Sequence, residues 1–115
     1  MQYMLMIYHD PALEPARGTP EFGAMMAGYM GLGERMKDRA RLLAGEGLQG
    51  VETATSLRKR GGKVETMDGP FAETREHLGG FYLIEAATLD DALAFAAAIP
   101  GAAYGTIELR PVMVY

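Results

Sequence analysis

Between Val64 and Tyr82 the chain gathers Asp68, Glu73, Arg75, Glu76 and His77, the second of its two histidines, into one connection. Imidazole is the side chain that ordinarily titrates near neutrality, and a carboxylate beside it either carries protons itself or fixes the protonation state of the ring. Asp68 and His77 are therefore the candidate pair for acid/base work on a small organic molecule. The planar fork of Arg75 suits a carboxylate or phosphate, and Arg110, near the end of the chain, is positioned to join it. Plainer readings stand beside these. Aspartate before Gly69-Pro70 commonly bonds turn amides, His77 fits a solvated loop, and Glu73, Arg75 and Glu76 fit surface ion pairs worth well under ~1 kcal/mol. Gly79-Gly80 reads as a bulge or a close backbone approach rather than a phosphate cradle, because no helix starts after it.

Composition removes several chemistries. With no cysteine among 115 residues, thiolate catalysis, disulfides and zinc-thiolate sites are excluded. Two histidines without a fixed carboxylate spacing form no recognisable metal triad, so neither metal nor cofactor is expected. A net charge of -4 with no domain-wide basic face argues against direct nucleic-acid binding. No apolar run approaches the ~18 residues of a membrane span. The chain passes from Met1 directly into an alternating pattern, without the n-region and apolar core of a signal peptide, so a cytoplasmic protein is expected.

The elements that must hold these residues are read from periodicity. Gln2 to Tyr8 is a strand with Tyr3, Leu5 and Ile7 on one face and Met4, Met6 and Tyr8 on the other, which predicts cover on both sides. His9 to Gly18 is a loop. Thr19 caps a helix that starts with Pro20 and carries Phe22, Met25, Tyr29, Leu32, Met36, Ala40 and Leu43 at spacings of three and four. That stripe predicts one long helix to about Ala44, with Gly45 as its cap. Its methionines suit core packing or a soft ligand-binding lining. Leu48 to Thr55 is irregular or a short edge strand.

Ser56 to Arg60 and Lys63 to Met67 flank Gly61-Gly62, whose positive φ makes a tight hairpin. Its Arg58, Lys59, Arg60 and Lys63 suit a charge-protected edge or an anion-binding patch. Gly80 to Ala86 is a strand, Thr88 caps a second helix over Leu89 to Ile99, and Thr106 to Val114 is the last strand, with Pro111 marking an edge or bulge. One domain over residues 1–115 follows. Its order is α+β, a βαββαβ antiparallel sheet of ferredoxin-like form with two helices on one face. The other face is bare and apolar, which predicts a homodimer through the sheet. In this arrangement Tyr3 lies at the sheet end that holds Asp68, Glu73, Arg75 and His77, whereas Tyr8 and His9 lie at the far end. His9 and His77 are then not expected to work together. Tyr3, Glu73, Arg75 and Arg110 complete the expected ligand-binding set.

A resemblance spans nearly the whole chain. Asp68-Gly69-Pro70-Phe71, the following Ala72-Glu73-Thr74-Arg75-Glu76 and Leu78-Gly79-Gly80-Phe81 resemble the signature of the DGPF branch of the YCII-related domain family. Agreement extends to Tyr3-Met4-Leu5, Ile99-Pro100, Tyr104-Gly105 and Ile107-Glu108-Leu109-Arg110-Pro111-Val112. The resemblance implies a ferredoxin-like domain of the dimeric α/β-barrel type in a family whose activity is mostly unassigned. It also implies a histidine and aspartate pair whose histidine comes from the first-helix region, where this chain has none. The resemblance further implies that such domains often accompany extracytoplasmic-function sigma factors, so a regulatory or partner-binding module is the alternative to a small-molecule site.

Overall fold

The computed structural model describes residues 1–115. In chain order it contains β1 (Gln2–His9), α1 (Pro20–Tyr29), α2 (Leu32–Arg35), β2 (Ala40–Gly47), β3 (Thr55–Arg60), β4 (Lys63–Asp68), β5 (His77–Ala86), α3 (Leu89–Ala97) and β6 (Gly105–Pro111). The helices start where the capping residues require. The Thr19 hydroxyl accepts from the Phe22 amide at 3.2 Å, and the Thr88 hydroxyl accepts from the Asp91 amide at 3.1 Å.

Four strands form one sheet in the order β2-β5-β1-β6, with every neighbouring pair antiparallel. Apart from the β3–β4 hairpin, the path is the ferredoxin-like βαββαβ. Tyr3, Leu5 and Ile7 of β1, with Ile84 and Ala86 of β5, face Leu32, Ala92, Phe95, Ala96 and Ile99 to make the core. Phe95, Leu5 and Ile84 are fully buried. Tyr82 meets Phe95 edge to face at 5.8 Å, a favoured aromatic geometry.

The long helix expected to Ala44 is corrected: α1 stops at Tyr29, and Ala40–Gly47 is a strand. Gly31 enters the left-handed region at φ 69°, and the Arg35 guanidinium turns back to donate to the Gly28 and Met30 carbonyls at the helix end. Gly45 is a strand residue opposite Tyr82, where the missing Cβ leaves room for the tyrosine ring against the backbone.

The hairpin forms where expected, with Gly61 at φ 56° and Gly62 at φ 78°. However, β3 and β4 pair only with each other, outside the main sheet. Neither strand packs appreciably on another element, so the pair projects as an arm. The molecule measures 49 × 44 × 18 Å with a radius of gyration of 16.1 Å. A compact chain of this length would have about 13 Å. No helix is long and apolar enough to cross a membrane.

Candidate active site

At the sheet end where β1 and β2 finish and β5 begins, β5 carries an irregularity. Ile7 pairs with Gly80, but the next residue, Tyr8, pairs with Leu78 and His9 with His77, which leaves Gly79 as the extra residue of a bulge. The close approach expected at Gly79-Gly80 is therefore present. A Cβ on Gly79 would lie 2.7 Å from His9 Cδ2 and 2.9 Å from Nε2, so only glycine lets the imidazole lie across this backbone. Gly80 is equally constrained, since a Cβ there would come 2.8 Å from the Glu46 carbonyl oxygen.

His9 borders a cavity of about 370 Å³ between α1 and the sheet, lined also by Glu14, Met26, Tyr29 and Tyr82. Glu14 comes from the loop between β1 and α1 and places Oε1 2.9 Å from His9 Nδ1. The Nδ1 direction is off the line to the carboxylate, so this is a close contact rather than an aligned hydrogen bond. Both side chains are about three-quarters buried, at 26% exposure each.

Burial pushes the Tyr29 phenol above its ordinary value. The Gly101 backbone opposes this, while Tyr82 and Glu14 add to it. The Tyr82 phenol is also raised by burial. Both hydroxyls thus remain neutral hydrogen-bond donors around neutral pH. No lysine or arginine lines the cavity.

The expected placement of Tyr3 and of the two histidines is corrected by the antiparallel pairing of β1 with β5. His9 and His77 are cross-strand partners, whereas Tyr3 pairs with Ile84 and Pro111, six residues or about 20 Å along β1 from His9. Tyr3 is 4% exposed and part of the core. Arg110 pairs with Met4, which places it toward the Tyr3 end and away from Arg75's connection.

Asp68 closes β4 opposite Thr55 at the root of the arm, exposed, and its carboxylate accepts no hydrogen bond. The turn after it is held by others: the Gly69 amide donates to the Ala54 carbonyl at 2.7 Å, and the Ser56 hydroxyl donates to the Gly69 carbonyl at 2.8 Å. Glu73 and Arg75 are exposed and form no ion pair. Glu76 accepts from the Thr106 hydroxyl at 3.3 Å. No group of three or more acidic or histidine side chains is arranged to hold a metal ion.

In the sequence, Tyr29 belongs to the apolar stripe of the first helix, Tyr82 to a strand, Glu14 to a loop without periodicity, and His9 to the sheet end opposite His77. One signal was available. A histidine that closes one strand and a glycine pair that opens another are compatible with a ring laid over bare backbone, as the His9 ring lies over Gly79.

The model of the YCII-related domain family matches residues 1–115 of the chain. An uncharacterized protein of Rhizobium meliloti (strain 1021) is 35% identical over 117 residues, covering 100% of this chain and 94% of that protein.

Proposed function

The chain belongs to the YCII-related domain family, and on that premise we propose that it binds a small uncharged organic molecule in the His9 cavity and transforms it by proton transfer. The supporting observation is the 2.9 Å approach of Glu14 to His9 Nδ1 inside a cavity that also holds two neutral phenols. When Nδ1–H donates to the Glu14 carboxylate, Nε2 presents its lone pair and acts as a base. It takes a proton from an acidic C–H or O–H of the ligand, and the Glu14 carboxylate stabilises the resulting imidazolium. The Tyr29 and Tyr82 hydroxyls donate to a ligand oxygen on which negative charge develops. A cavity without lysine or arginine offers phosphates and carboxylates no permanent counter-charge, which favours a neutral ligand.

A thermal-shift screen of metabolites near neutral pH tests this reading, with His9→Gln and Glu14→Gln as controls. A ligand at 100 times its dissociation constant stabilises the fold by about 2.7 kcal/mol, a shift of roughly 10 °C for a domain of this size. Hits that vanish in both variants support the cavity. Hits that persist in both and vanish in Asp68→Asn would move the site to the root of the arm.

The protein also acts, in this reading, as a homodimer through the bare sheet face. Across that face one row runs Glu46, Phe81, Met6, Glu108, and the next runs Ala44, Leu83, Met4, Arg110. An apolar centre bordered by charges of both signs suits a self-complementary two-fold contact.

A further inference from the structure

The β3–β4 arm has no stabilising surface of its own. An isolated two-stranded hairpin is marginal in water, and this one projects from the body with Leu57 63% and Val64 59% exposed. The ladder register pairs Leu57 with Thr66 and Lys59 with Val64, so Leu57, Val64 and Lys59 share one face of the arm. Arg58, Arg60 and Lys63 lie on the other, with Glu65.

Charge divides in the same way as packing. Thr55–Asp68 carries four basic and two acidic residues, a net +2, within a chain of -4, which leaves the body at -6. Each molecule thus holds both halves of a complementary pair. The body's carboxylates include Glu46 and Glu108, which border the apolar Phe81–Met6 centre of the bare sheet face. An apolar face with a lysine beside it matches an apolar row ended by carboxylates.

We propose that the occupant is a second copy of this chain: in the two-fold dimer each β3–β4 arm lies along the border of the partner's bare sheet face, with its Leu57–Val64 side inward, Lys59 on that side against the partner's carboxylates, and Arg58, Arg60 and Lys63 outward. This rests on the homodimer reading and adds to it the element that clasps the partner. A two-fold axis makes the contact twice, so arm and body are both covered in one closed assembly. The arm's net charge opposes that of the body, so the clasp weakens as salt screens it.

The test is hydrogen–deuterium exchange of the arm amides on the wild-type protein, from low to high micromolar concentration, with light scattering on the same samples. Arm protection that rises together with the dimer fraction supports the clasp. A second arm of the experiment uses Leu57→Asp with Val64→Asp, both exposed positions that leave the body's core intact. The dimer dissociation constant should then rise by at least about tenfold, with arm protection lost and body protection retained. A monomer at every concentration would overturn both the dimer and the clasp. A dimer of unchanged affinity with unprotected arms would overturn the clasp alone, as would arm protection that appears only when an oligonucleotide or another protein is added.

Discussion

The body and the arm of this molecule obey opposite rules. In the body, apolar side chains of β1, β5 and α3 leave water together, and a cavity opens at one end of that packing, where Gly79 makes room for the His9 ring. In the arm, the hairpin turn and the ladder are specified as clearly as anywhere in the chain, yet apart from half-buried Ser56 at the root every residue of the two strands is exposed. Local turn chemistry makes a hairpin; only burial makes it stable. The difference indicates where each kind of function belongs. A cavity that must hold a proton-transfer pair in place needs the rigid body, and an element that reaches a neighbour does not.

Truncating the body's centre gives the largest contrast. Phe95→Ala, at a fully buried position, should cost about 3–5 kcal/mol in denaturant unfolding, while Leu57→Ala in dilute protein should stay within about 0.5 kcal/mol. Equal effects would mean that the arm packs on its own body. Gly79→Ala is a sharper probe of the site. The added methyl meets the His9 ring, so it should cost about 1–3 kcal/mol and abolish ligand-induced stabilisation, whereas Gly62→Ala in the arm's turn should cost stability without touching binding.

The smallest effect is alkaline. Burial holds the Tyr29 and Tyr82 phenols above their ordinary value of 10.0. A raised folded-state value contributes stability that is present below about pH 10 and is lost as pH rises through it. Tyr82→Phe should therefore flatten the decline of urea midpoints above that pH, and a slope identical to wild type would remove the phenol from the account.

The same division explains what the sequence discloses. Gly61-Gly62, Thr19-Pro20 and Thr88 act through local conformation and hydrogen bonding, and each element begins or turns where those residues stand. β2 is hidden for a physical reason. Its register shifts between Leu42 and Ala44, so the two-residue alternation of a strand is broken, and Leu32, Met36, Ala40 and Leu43 fall by spacing onto the helical stripe that α1 begins. The site is obscured as a consequence. With β2 taken for helix, the hairpin strands take its place in the sheet, and His9 is sent to the end opposite His77 when the two are in fact neighbours. The polar residues around Asp68 stand out in the sequence because they are exposed. Glu14, Tyr29 and Tyr82 do not, because a tyrosine at helical or strand spacing looks like core until the cavity beside it is seen.

The central claim, that ligand chemistry belongs to the His9–Glu14 end of the body, is tested most directly by calorimetric titration of one screened ligand into wild type, His9→Gln and Asp68→Asn. Affinity should fall by at least roughly tenfold in His9→Gln and stay within about twofold of wild type in Asp68→Asn. The reverse order, with Asp68→Asn losing the ligand and His9→Gln keeping it, would contradict the account and place the site at the root of the arm.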